Sequence, residues 1–225
     1  MYIVTGGSSG IGKAIADHIR NEGEEVFTLS RKEIKGDSNH FSCDISDYQS
    51  LRSVYLELLK KDTKIYGLIN CAGVASMNLA MTTPPKVTEK VIQTNLMGTI
   101  YCNQIFSPLL IKNKRGRIIN FSTIAVHLGL KGESIYAATK AGVESFSRVF
   151  AKELSPFKIT VNCVAPGPIR TNLLRGITNE QIKNITNNQI IQKEMNLKDV
   201  IDIVDIILDV RSQNITGQVL HVGGV

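Results

Sequence analysis

The chain has 225 residues, 43% of them hydrophobic, and a formal net charge of +6, which suits one domain with a sizeable core. No apolar run approaches the 18 or more residues of a membrane-spanning helix, and Met1-Tyr2-Ile3 leads almost directly into a strand-like run, leaving no room for a signal peptide. Four cysteines, Cys43, Cys71, Cys102 and Cys163, lie far apart without a C-x-x-C pair, which predicts reduced, mostly buried thiols in a cytoplasmic protein.

In chain order, Tyr2-Ile3-Val4 reads as a strand and Lys13 to Ile19 as a helix. Between them lies Thr5-Gly6-Gly7-Ser8-Ser9-Gly10-Ile11-Gly12. A strand, a glycine-rich turn and a helix N-terminus together make an anion site. The glycines let the backbone approach a pyrophosphate, and the first helical N–H groups and the helix dipole face it. By itself such a stretch also reads as a plain strand-to-helix turn. Glycines at 6, 10 and 12 give T-G-x-x-x-G-x-G rather than G-x-G-x-x-G, and this variant resembles the short-chain dehydrogenase/reductase family. The resemblance implies a nicotinamide dinucleotide held by Thr5, Gly6, Ser8, Ser9, Gly10, Ile11 and Gly12.

Glu25 to Ser30 reads as the second strand, followed by Arg31 and Lys32. NAD enzymes usually end this strand with an acid that binds the ribose hydroxyls. Here there is no acid to repel a 2′-phosphate, and the Arg31 guanidinium can pair with one. Ser30-Arg31 therefore predicts NADP(H) over NAD(H); the alternative is a surface loop that happens to be basic. His40 to Cys43 is a short third strand ending at Asp44-Ile45. The resemblance places these two residues at the adenine, with Asp44 bonding its amino group; alternatively Asp44 caps the helix that starts near Asp47. Leu51, Val54, Tyr55, Leu58 and Leu59 mark that helix as core-facing.

Tyr66 to Asn70 reads as strand four, and Asn70-Cys71-Ala72-Gly73 resembles the family's N-N-A-G turn with Cys for its second Asn. The resemblance implies that Asn70, Ala72 and Gly73 stabilise the sheet and line the adenosine ribose; Cys71 cannot replace an amide's hydrogen bonds. Val74 to Pro85 reads as an irregular pocket rim, and Val87 to Asn113 as a long helical region. Asn95 stands where the family keeps an Asn at a helix kink, holding a water next to the active-site lysine; alone, a mid-helix Asn more often binds local backbone. Lys112, Lys114, Arg115 and Arg117 cluster around Gly116, either as a solvated turn or as a patch for an acidic partner. There is no basic stripe with interleaved aromatics for nucleic acid.

Arg117 to Thr123 reads as strand five, buried on both faces. Tyr136 and Lys140 form Y-x-x-x-K at a helix start, and a spacing of four puts both on one helical face. The family's active-site Ser stands thirteen residues before the Tyr, and that register lands on Thr123, with Ser122 beside it. Alternation on a strand then gives Thr123, not Ser122, the place facing the nicotinamide; the alternative is a bulge that turns Ser122 inward. Ile159 to Ala165 is strand six. Pro166-Gly167-Pro168-Ile169-Arg170-Thr171 resembles the P-G-x-x-x-T turn, which implies that Pro166, Gly167, Ile169 and Thr171 grip the nicotinamide carboxamide. A small substrate lid is expected over 172–198, a last helix over 197–211 and a closing strand over 215–222.

These readings predict one domain over 1–225. The resemblance implies a Rossmann-type doubly wound parallel sheet of seven strands in the order 3-2-1-4-5-6-7. The closest subfamily by pattern is the 3-oxoacyl-acyl-carrier-protein reductases. The resemblance implies an oxidoreductase of the C=O/CH–OH pair, with Asn95, Thr123, Tyr136 and Lys140 catalytic, no metal, and a homo-oligomer, either tetramer or dimer. Lys140 and an oxidised nicotinamide would lower the pKa of Tyr136. Two alternatives stay open: a different ketone or sugar as substrate, or a nicotinamide-binding protein without turnover.

Overall fold

The computed structural model describes residues 1–62, 64–174 and 178–225, apart from the side chain at 172. The strands are β1 (Tyr2–Thr5), β2 (Val26–Ser30), β3 (His40–Ser42), β4 (Gly67–Asn70), β5 (Gly116–Phe121), β6 (Ile159–Pro166) and β7 (Val219–Val222). They form one parallel sheet in the order β3-β2-β1-β4-β5-β6-β7, the expected topology.

The helices are α1 (Gly10–Asn21), α2 (Tyr48–Lys60), α3 (Pro85–Ile92), α4 (Gly98–Lys112), α5 (Ala125–Leu128), α6 (Ser134–Leu154), α7 (Asn179–Asn187) and α8 (Leu197–Leu208). Side chains alternate across a strand, so each apolar pair in the central strands serves both faces. Ile3, Leu68 and Ile118 pack against α2, α4 and α6. Their neighbours Val4, Ile69 and Ile119 pack against α1 and α8.

Several boundaries differ from expectation for local reasons. Pro85 opens α3 two residues early, since proline fits the first helical position. The long helical region is broken by a π-turn at Gln93–Met97. Asp47, not Asp44, caps α2 by accepting from the Gln49 amide at 2.9 Å. The last helix ends at Leu208, before a 3₁₀ turn at Val210–Ser212, and the closing strand begins only at Val219. The basic cluster is a local turn at the start of β5. Lys112 pairs with Asp62 at 2.7 Å and Arg115 lies 4.7 Å over the Tyr66 ring. All four cysteines are free thiols, three of them buried.

A buried amide network ties the central strands to the helices on one face of the sheet. Asn120 accepts from Asn70 at 2.8 Å and from Asn103 at 3.0 Å, and donates to Ser147 at 2.8 Å. β4, β5, α4 and α6 thus meet at one side chain. Asn120→Ala leaves the Asn70 donor without this acceptor and opens a void. The expected cost is about 2–3 kcal/mol, read as a lower urea midpoint at unchanged slope; an unchanged midpoint contradicts the role.

Candidate active site

The strand order reverses between β1 and β4, so their outgoing chains diverge and leave a crevice at the C-terminal edge. A cavity of about 540 Å³ fills it. One wall is the glycine turn, with Gly6 and Ser9 to Gly12. Cys71 to Ala75, Ser122 to Ala125, Tyr136, Lys140, and Pro166 to Ile169 with Thr171 complete it. Two crossing backbones explain the glycines. A Cβ on Gly6, whose φ is +72°, would lie 3.0 Å from the Ala72 backbone, and one on Gly12 would lie 2.6 Å from the Gly6 carbonyl oxygen. Thr5 Oγ1 accepts from the Ala72 amide at 3.1 Å and locks the two turns together. Ser9 precedes α1 without capping it, so the first-turn N–H groups stay open at the cavity wall. That cradle fits a diphosphate.

At the far end, α6 supplies Tyr136 and Lys140, both buried. Lys140 Nζ donates to the Phe121 carbonyl at 2.8 Å and lies 5.9 Å from the centre of the Tyr136 ring. Burial brings the Lys140 pKa down to about 8. Burial, with Glu133 adding to it, pushes the Tyr136 phenol above its ordinary value, while a hydrogen bond from Thr123 works the other way. In the chain alone, then, desolvation outweighs any lowering of the phenol by Lys140. Tyr136 is a protonated phenol at neutral pH.

β5 ends at Phe121, but its ladder to β6 continues. The Ser122 amide donates to Val164 at 2.8 Å and the Ile124 amide to Pro166 at 3.2 Å. Alternation therefore persists past the strand. The Ser122 hydroxyl turns into the interior and donates to Glu144 at 2.5 Å. The Thr123 hydroxyl accepts from the Ala125 amide at 3.2 Å and meets the Tyr136 phenol. Asn95 lies buried in the π-turn. Its amide accepts from the Val74 N–H and donates to the Val74 carbonyl, both at 2.8 Å. This clasp reaches across 21 residues rather than to local backbone. A Cβ on Gly73 would lie 3.3 Å from Asn95 Oδ1 and 3.7 Å from Lys140 Nζ, so the two side chains converge where that glycine leaves room.

Other expected contacts lie outside the cavity wall. Asn70 is turned into the sheet toward Asn120. Ile45 is buried, and it packs where a Cβ on Gly98 would sit 2.8 Å away. Ser30 donates to the Lys32 carbonyl at 2.9 Å and lies 3.2 Å from His40 Nε2, so it shapes the turn. Arg31 is exposed at the end of β2. Asp44 accepts from the Ser46 amide and hydroxyl; partial burial opposes ionisation, but these bonds and Arg31 hold its pKa low.

Of the expected lid, 175–177 lie outside the described residues. Its described part adds Leu173, Leu174 and, from α7, Ile185 to the cavity wall. The sequence reading missed Glu133 and Lys90, which also line it. Glu133 had a usable signal, a carboxylate one turn before the tyrosine; Lys90 had none.

The family model described as Enoyl-(Acyl carrier protein) reductase matches residues 6–224. The chain belongs to the short-chain dehydrogenase/reductase family. This short-chain dehydrogenase/reductase is similar to the 3-oxoacyl-[acyl-carrier-protein] reductase FabG of Buchnera aphidicola from Schizaphis graminum. The two are 31% identical over 99% of this chain and 95% of the relative. Among solved structures it is similar to the ligand-free aldohexose dehydrogenase of Thermoplasma acidophilum, with TM-score 0.89, 26% identity, and 99% and 92% of the two chains covered. It is also similar to ElxO with NADP bound, with TM-score 0.88, 26% identity, and 98% and 96% covered.

The buried lysine predicts a measurable cost. Its folded pKa of about 8 lies below the ordinary 10.5. Folding therefore opposes protonation, and the penalty is complete below pH 8 and relieved as pH rises toward the unfolded value. Lys140→Met is expected to stabilise this reductase-family chain at neutral pH by up to about 3 kcal/mol. The gain should close with rising pH. Urea unfolding at neutral and alkaline pH reads this; a variant less stable at neutral pH contradicts it.

Proposed function

We propose that the chain is an NADP(H)-dependent oxidoreductase that reduces a ketone, with 3-oxoacyl thioesters as the substrate class. One observation carries the reading. The Tyr136 phenol, the Thr123 hydroxyl and the Lys140 ammonium meet at one end of a cavity whose other end is an uncapped helix N-terminus. The relative's name supports the thioester. The NADP-bound neighbour, the exposed Arg31 and the lack of an acid at 30–32 support the cofactor.

The nicotinamide, when bound, supplies hydride to the carbonyl carbon in reduction and accepts it in oxidation. Thr123 donates a hydrogen bond that orients the carbonyl oxygen. Tyr136 gives its proton to that oxygen as negative charge grows there; the raised pKa keeps the proton available at neutral pH. Lys140, positive below about pH 8, steadies the resulting phenolate and holds the ribose hydroxyls. Asn95 fixes the Val74 backbone along the substrate side. The glycine turn and the α1 N-terminus hold the diphosphate.

A panel of 3-oxoacyl thioesters and simple ketones assayed with NADPH, and of aldohexoses assayed with NADP⁺, tests this reading; an aldohexose preference would favour the sugar alternative, which the Thermoplasma neighbour also supports. Tyr136→Phe should lose about a hundred- to ten-thousand-fold in turnover and keep NADPH binding. Thr123→Val should lose most activity, with Thr123→Ser and Ser122→Ala retaining it. The reverse ranking of Ser122 and Thr123 would overturn the assignment. Arg31→Ala should weaken NADPH selectively over NADH, by about 1.5–3 kcal/mol, in a fluorescence titration. Equal loss for both nucleotides would contradict the cofactor choice.

A further inference from the structure

A second group of reactive side chains lies behind the catalytic wall and plays no part in the reaction above. His127 of α5, Glu144 of α6 and His221 of β7 each turn one donor atom to a common point, and these atoms lie within 4.8 Å of one another. His127 Nε2 is 3.8 Å from a Glu144 oxygen. The two imidazoles meet edge to face with centres 4.4 Å apart. The buried His221 Nε2 has no hydrogen-bond partner among the described residues, a costly state for a polar atom. Glu144 is itself buried, and one of its oxygens is held by the Ser122 hydroxyl. The other is the one that faces His127.

We propose that His127, Glu144 and His221 bind a zinc ion or a similar divalent transition metal at a site with three protein ligands. Two imidazole nitrogens and one carboxylate oxygen are a standard donor set for zinc, at about 2.0–2.2 Å each with a fourth position for water. Around such an ion the ligand atoms stand roughly 3–3.5 Å apart, so small side-chain rotations close the present spacing. The ion gives His221 its missing partner. Ser122 then acts as the outer hydrogen bond that orients a ligating carboxylate. A groove of about 580 Å³ between α6 and β7 leads to the point. Arg148 and Lys152 line that groove, so the fourth position takes water or an anion rather than a second cation. The bound ion ties the edge strand β7 to α6 and to the segment just after Thr123.

Chain stripped with EDTA and titrated with Zn²⁺ alone in a calorimeter should take up one ion. Its thermal midpoint should rise by several degrees as the folded state is favoured by mass action. His127→Gln, at an exposed position that the fold does not need, should lose both the uptake and the rise; His221→Gln should do the same. Co²⁺ in place of zinc should give the visible bands of a four-coordinate site without the intense near-ultraviolet absorption of thiolate ligation. No uptake by the wild-type chain overturns the proposal, as does uptake that survives His127→Gln or a thiolate band that assigns the ion to cysteine.

Discussion

A single lysine ammonium in the interior organises this molecule. Lys140 is 5% exposed and is held by the Phe121 carbonyl, at the point where β5 stops and the Ser122–Thr123 segment begins. That contact sets the rotation of α6, and with it the position of Tyr136 one turn earlier. Gly73 lies beside it, where an added Cβ would crowd Asn95 Oδ1 at 3.3 Å and sit 3.7 Å from Lys140 Nζ, an ordinary contact. Three chain segments distant in sequence thus meet at one charge kept from water. A buried ammonium is costly, and this cost is the stability that active sites commonly forgo for function.

Burial also sorts the two titratable groups. Desolvation disfavours whichever form is charged, so it lowers the lysine and raises the tyrosine. The result is a phenol that stays protonated at neutral pH beside an ammonium that stays charged. Thr123 acts against the rise by bonding the phenol. Glu133 acts with it, so a carboxylate on the cavity wall helps keep the phenol protonated.

Much of this was legible in the residues because it depends on backbone. The glycine turn and the Tyr–Lys pair follow from close approaches and from helical spacing, the strand order came with the family resemblance, and all fell where expected. The Ser122–Thr123 alternation was legible for the same reason, as the ladder to β6 carries it past the end of β5. Side-chain partners across long sequence separations were not. The resemblance gave Asn70 both a sheet and a ribose role, and nothing local says that its amide turns toward Asn120 rather than out to a ligand. Nothing in Ser122 announces Glu144, 22 residues on, and Ile45 gives no sign that Gly98 draws it into the core. Asn95 was placed correctly at the helix break, but its two bonds to Val74 depend on how the pocket rim folds back.

The account rests on one cavity joining the glycine turn to the Thr123–Tyr136–Lys140 end. The most direct measurement follows the transferred atom. NADPH carrying deuterium on the reactive face of nicotinamide C4 is incubated with the chain and a short 3-oxoacyl thioester, and the product is examined by mass spectrometry. The account predicts a 3-hydroxyacyl thioester with one deuterium on the carbinol carbon, and no such product from the Tyr136→Phe chain. Unlabelled product, or no product from the thioester or any other ketone while NADPH still binds, would contradict it.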